Sequence, residues 1–157
     1  MSGEVACESL RLLPKSAHMH EGSIIIRIAA DLKEIEQLNR LVRQFGELHD
    51  LPLRALYSVN LALDETVTNV VLHGFDDPVG QEVVVSISTG ENELVASVSD
   101  AGREFNPLHA AVPDLSATLA ERELGGLGIH LVRSLMDHVT YERTDGRNVL
   151  TMRKRIR

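Results

Sequence analysis

Apolar and polar positions along the 157-residue chain change period several times, and each change marks an element. SIIIRIA (23–29) is a β-branched run and predicts a strand. From Asp31 the period lengthens. Leu32, Ile35, Leu38, Leu41, Val42, Phe45 and Leu48 recur at helical spacing, with Asp31 as N-cap and Glu34 in the capping-box position. This helix is expected to end near His49, and a second to run from near Pro52 to His73, where Gly74 stops it. EVVVSIST (82–89) and ELVASVSD (93–100) alternate on a two-residue period about the turn residues GEN (90–92), which predicts a hairpin.

Residues 101–124 contain Gly102, Pro107 and Pro113 with only a weak helical pattern, a loop long enough to serve as a lid over about 103–124. A third helix is expected over 127–136, then strands over 138–143 and 148–154 about the turn TDGR. Residues 1–22 predict an irregular leader, since His18 and His20 have no third metal ligand at a suitable spacing. The order β-α-α-β-β-loop-α-β-β predicts one α/β (α+β) domain over 23–157. It is a two-layer sandwich, with a mixed, mostly antiparallel sheet and helices on one face.

Composition narrows the function classes. Net charge −7 and a 3% aromatic content without Trp disfavour nucleic-acid binding, whether by phosphate neutralisation or by base stacking. The basic C-terminal RKRIR reads as solvation. A single cysteine, Cys7, suits a reducing, cytoplasmic compartment, and no apolar run is long enough to span a bilayer.

Four segments carry candidate chemistry. In LALDETVTNVVLHGF (61–75), Glu65 and Asn69 lie one helical turn apart and His73 continues the stripe. One amide oxygen together with phosphate oxygens suits magnesium, and a carboxylate one turn away is placed to take a proton from a hydroxyl. A polar stripe on an amphipathic helix explains the same spacing. In DAGREFNP (100–107), Asp100 ends a strand ahead of Gly102, where a carboxylate could accept from the exocyclic amine of adenine; a plain Asp-x-Gly turn is the alternative. GGLG (Gly125, Gly126, Leu127, Gly128) opens a helix whose free N–H groups suit a polyphosphate, or else forms a simple hinge. GRNVLTMRK (146–154) is the closing strand. A P-loop, a zinc cluster and a G-x-S-x-G hydrolase elbow are all missing from the sequence.

Taken together, these segments resemble the GHKL ATP-binding superfamily from Ser23 to Lys154, with Glu65 and Asn69 as its N box, Asp100 and Gly102 as its first glycine box, and Gly126 and Gly128 as its second. In detail they are similar to the small stand-alone anti-sigma-factor serine/threonine kinases of the RsbW and SpoIIAB type. The resemblance implies a Bergerat-type fold with ATP and Mg2+. It implies that Asn69 ligates the metal, Glu65 is the general base, Asp100 reads adenine and Gly125–Gly128 lie along the phosphates. One departure stands out: where many relatives place a threonine beside adenine, the nearest residues here are Asn148 and Val149.

The function implied is that of a protein-serine/threonine kinase acting on an anti-anti-sigma (STAS) partner and holding a sigma factor. Its docking face would surround the lid and the helix ending at His73. A homodimer is also implied, with the Ser23–Ala29 edge as a candidate contact because β-branched edges invite pairing. Two rivals remain: a nucleotide-gated binding module without transferase activity, and a detached histidine-kinase catalytic domain. The second lacks dimerisation helices with an acceptor histidine. Retention of Glu65 favours the kinase, since binding alone requires no base.

Overall fold

The computed structural model describes residues 17–111 and 126–157; the leader's residues 1–16, the lid's residues 112–124 and Gly125 lie outside them. Six strands form one sheet in the order β1-β2-β3-β4-β6-β5. They are β1 (Ala17–His20), β2 (Ser23–Ala29), β3 (Glu82–Thr89), β4 (Glu93–Asp100), β5 (His138–Thr144) and β6 (Arg147–Arg155). Every pairing among the described residues is antiparallel, which sharpens the expected mixed, mostly antiparallel sheet to an antiparallel one there.

The register lines up three rows of side chains across one face. Ala17, Ile26, Val85, Val98, Leu150 and Tyr141 make one row, and Ile24, Ile87, Ala96, Met152 and Val139 another. The third begins with Ile28 and Val83 and turns polar at Asp100, Asn148 and Arg143. Ile24, Ile26, Val83, Val85, Leu94, Ala96 and Met152 are fully buried on this face under the helices, while Arg27, Ala29 and Ser88 on the alternate positions are exposed.

Helices α1 (Ile35–Leu48), α2 (Leu53–Asn69) and α3 (Gly126–Leu135) cover the face. Asp31 caps a short 3-10 turn, accepting from the Lys33 N–H at 3.0 Å, and its own N–H donates to Ala29 O, so the expected capping box with Glu34 is replaced. The stripe on α1 buries Leu38, Leu41, Val42 and Phe45, whereas its ends, Leu32 and Leu48, stay exposed. Asp50, in the left-handed region at φ 49°, reverses the chain ahead of α2. Helix α2 packs on α3 and lies over β4 and β6.

Two expectations change. Residues 17–22, read as part of an irregular leader, form β1 and its turn. The pattern Ala-His-Met-His alternates, Ala17 is buried while His18 and His20 are exposed, and Gly22 at φ 69° closes the hairpin onto β2. Strand β2 therefore has β1 on one side and β3 on the other. The Ser23–Ala29 segment is no free edge, and the outer strands are β1 and β5. Second, α2 does not run regularly to His73 but widens at Val70–Gly74 into a single π-helical turn, a feature that often marks functional sites. This turn leaves Leu72 exposed.

Between α1 and α2, Asn39 Nδ2 donates to Asp64 Oδ2 at 3.3 Å; among the described residues, Asn39 Oδ1, Asp64 Oδ1 and Asn60 Oδ1 of α2 are enclosed without partners. Burial pushes the Asp64 carboxyl above the usual carboxylate range, the charge of Glu65 adds to this, and the Asn39 hydrogen bond opposes it. The fold thus favours neutral Asp64, and that stabilisation is complete in acid and lost as the pH rises past the ordinary carboxylate value. Asp64→Asn should raise the thermal unfolding midpoint at about pH 7 and change it much less at about pH 4. A gain of equal size at both would place its origin elsewhere.

Candidate nucleotide site

Glu65 and Asn69 sit on the last regular turns of α2, four apart and half-buried. The first turn of α3 rests on them. A Cβ built on Gly128 would lie 2.8 Å from Glu65 Oε2 and 3.4 Å from Asn69 Nδ2, so a side chain here would push the flexible end of Glu65 aside. Gly126, Leu127 and Gly128 form that first turn, where main-chain N–H groups have no helical acceptor. The structure thus brings two sequence motifs, about sixty residues apart in order, into contact at one helix start. Asn69 does not use its side chain to cap the π turn that follows it.

A second cluster forms where β4 ends. Asp100 is 4% exposed, and its Oδ1 accepts from Gly102 N at 2.9 Å and from Asn148 Nδ2 at 3.0 Å. Among the described residues its Oδ2 accepts nothing. Gly102 is pressed against the chain at the end of α2, where a Cβ would overlap the Gly74 carbonyl oxygen. Arg103 fastens the same place, its N–H donating to Gly74 O at 2.8 Å and its guanidinium to His73 O at 2.7 Å. Its ion pair with Asp76 at 3.6 Å is well exposed and adds little.

The π turn joins the two clusters, carrying the chain from Asn69 to Gly74 beside Asp100. His73, expected to extend the Glu65 and Asn69 stripe, is exposed and enters only through its main-chain oxygen, because the wider turn rotates it off the regular spacing. Leu127 is 46% exposed at the helix start.

Sequence reasoning overlooked the residues that brace Asp100. Tyr141 OH, Arg143 Nη1 and Phe105 N all donate to Asn148 Oδ1, at 2.7, 3.0 and 3.4 Å. Arg143 also donates to Gly102 O at 2.9 Å. Burial pushes the Tyr141 phenol up, with the charges of Glu104 and Asp100 adding to this and Arg143 and a main-chain hydrogen bond from Phe105 opposing it, so it remains a donor. Only Asn148 had a signal in the sequence, as the residue nearest to a threonine position. In the loop after β4, Asn106 caps the Pro107–His109 turn, and Arg133 of α3 donates to Leu108 O at 2.8 Å.

The model of the histidine kinase-like ATPase domain matches residues 28–154, a span containing both clusters. The chain belongs to that family. It is 29% identical over 99 residues to the serine/threonine-protein kinase BtrW of Bordetella bronchiseptica, covering 63% of this chain and 70% of that protein. It is 26% identical over 110 residues to the anti-sigma F factor of a Thermoanaerobacter species, covering 70% and 76%. Among solved structures it superposes on the RsbU and RsbW domains of a Mycobacterium tuberculosis protein with a TM-score of 0.57 at 18% identity, over 84% of this chain and 32% of that one, a likeness of fold. Membership of this ATPase family implies use of ATP. No helix among the described residues is long and apolar enough to cross a membrane.

The two glycines differ in what opposes a side chain. At Gly102 the obstacle is main chain, so Gly102→Ala should lower the unfolding free energy by about 1–3 kcal/mol. At Gly128 it is the flexible end of Glu65, and alanine favours a helix, so Gly128→Ala should leave the denaturation midpoint level or raised. Equal losses in urea unfolding would show that the α2–α3 contact is as rigid as the one at Gly74.

Proposed function

We propose that this protein is an ATP- and Mg2+-dependent protein-serine/threonine kinase whose substrate is an anti-anti-sigma protein of the STAS type, and that it holds a sigma factor when not so engaged. The observation that carries the reading is the contact of Gly128 with Glu65, which sets a helix start suited to phosphates directly against a carboxylate suited to accept a proton. The similarity to a serine/threonine-protein kinase and to an anti-sigma F factor supports it.

The residues present fit the nucleotide and its metal. Asp100 is almost wholly buried yet keeps one oxygen unclaimed among the described residues, which suits an exocyclic amine donor. No group of three or more His, Cys, Asp or Glu among the described residues could cage a cation. A metal keeping mostly water and phosphate ligands, with the Asn69 amide oxygen as one more, matches this donor set. When bound, ATP supplies the transferable phosphoryl group and Mg2+ offsets its charge.

The chain supplies the rest. Glu65 takes the proton of an incoming serine or threonine hydroxyl, Asn69 holds the metal, and Asp100 with Gly102 selects adenine. Gly126, Leu127 and Gly128 at the helix start align the phosphates, with Gly125 outside the described residues, and His73 enters through its carbonyl, which Arg103 holds. The partner docks around the lid and the end of α2. The kinase acts as a homodimer in the cytoplasm.

Glu65→Gln keeps shape and removes the base, so nucleotide should still bind while transfer to a STAS substrate falls by about 10²–10⁴-fold. Asn69→Ala should instead weaken the metal-dependent part of binding. Incubation with labelled ATP followed by mass spectrometry should place the phosphate on serine or threonine. Transfer at the unmodified rate by Glu65→Gln would remove that residue from the role. Partner binding without any transfer would favour a nucleotide-gated binding module, and phosphohistidine a detached histidine-kinase domain.

A further inference from the structure

One buried amide makes more hydrogen bonds than any other side chain in the candidate site. Asn148, on β6, is 8% exposed and lies opposite Asp100 of β4 and Arg143 of β5. Its Oδ1 faces three donors: Tyr141 OH, Arg143 Nη1 and the Phe105 N–H. A guanidinium and a main-chain N–H cannot accept, so the oxygen must be on that side. Its Nδ2 then meets two acceptors, Asp100 Oδ1 at 3.0 Å and Arg103 O at 2.8 Å. A flipped amide would set oxygen against oxygen at Asp100 and Arg103 and N–H against N–H at Arg143 and Phe105, four repulsive contacts, with only the Tyr141 hydroxyl able to adapt. The amide has one orientation.

That orientation has a consequence for Asp100. Gly102 N and Asn148 Nδ2 both hold Oδ1, which fixes the rotation of the carboxylate and leaves Oδ2 as the acceptor for a ligand. Without the amide, a single main-chain N–H holds Oδ1 and the carboxylate turns more freely. A threonine has one hydroxyl proton and could hold Asp100 or Arg103 O, but not both. The two protons of the Asn148 amide group span them, tying the carboxylate to the path of the chain from Arg103 to Phe105.

We propose that Asn148 is the positioning residue of the base subsite. Held by Tyr141 and Arg143, it sets the angle at which Asp100 meets the base and joins that setting to the first residues of the loop after β4. The inference rests on the reading of Asp100 as the acceptor of the adenine amine. Tyr141 and Arg143 then act on base choice through Asn148 without touching the nucleotide.

Calorimetric titration of the full chain with ATP, ITP and inorganic tripolyphosphate separates the possibilities. ITP keeps the purine ring but has an oxygen where adenine has its amine. Asn148→Asp is nearly isosteric and keeps the acceptor for Tyr141 and Arg143, but it turns the donor facing Asp100 into an acceptor. It should reduce the preference for ATP over ITP by about tenfold or more, the scale of one charge-assisted hydrogen bond, with tripolyphosphate affinity unchanged. Tyr141→Phe, which removes only a hydroxyl at a partly exposed position, should reduce the same ratio by roughly threefold. If Asp100→Ala abolishes the preference while Asn148→Asp and Tyr141→Phe both retain it, the positioning role is overturned and the reading of Asp100 stands. Equal weakening of all three ligands by Asn148→Asp would also overturn it, as a general structural effect. If the unmodified chain binds ATP and ITP alike, the reading of Asp100 falls, and the proposal with it.

Discussion

The approach of Gly102 to the Gly74 carbonyl is the contact on which the site depends. It presses the end of a strand against the end of a helix with no side chain between them, and the Arg103 N–H and guanidinium fasten the two chains there. Because Glu65 and Asn69 lie on the last turns of one continuous helix, fixing the end of α2 relative to β4 also fixes where they stand relative to Asp100. The π turn from Val70 to Gly74 is what allows the helix to end beside the strand; a regular helix would present its last carbonyls at a different angle. Main-chain hydrogen bonds at such a seam are stiff, which suits a site in which groups from several elements must keep their spacing.

The sheet face that makes the core also makes the site. Two of its rows remain apolar through β2, β3, β4 and β6, and the third starts with Ile28 and Val83 before passing into Asp100, Asn148 and Arg143. Burial of a carboxylate and an amide at the end of an apolar row costs several kcal/mol if they are left unpaired, and here nearly every donor and acceptor is matched. The helix pair behaves differently. Among the described residues of α1 and α2, three side-chain oxygens of Asn39, Asn60 and Asp64 are enclosed without partners. The two polar groups therefore play opposite parts: one stiffens the subsite, while the other weakens the packing of the helices behind it.

Much of the fold was legible in the chain. The spans of β2, β3 and β4 and the stripe of α1 follow from period alone, because alternation and helical spacing are imposed locally by which face meets the core. Helix α3 and strands β5 and β6 came within a residue or so at their ends. Strand β1 was missed because its four residues contain no β-branched side chain; it forms because β2 offers a twisted, apolar edge to pair with. For the same reason the edge expected at Ser23–Ala29 does not exist. Glu65, Asn69, Asp100 and Gly128 could be named in advance as candidates, and the fold brings Glu65 and Asn69 to Gly128, but His73 was placed by extrapolating a regular helix through a turn that is not regular.

The sequence by itself determined most element types, β1 and the π turn aside, the sandwich of helices on one sheet face, and a short set of candidate polar residues. These are consequences of short-range periodicity and of backbone chemistry at glycine, asparagine and aspartate, which act within a few residues. Tertiary structure alone decided which of those residues meet. The Asn148 amide reaches Asp100 across 48 positions of sequence because β6 returns beside β4, and Gly128 reaches Glu65 because two helices cross where one lacks a side chain. Strand register and close main-chain approach depend on the packing of the whole core, so no local pattern encodes them.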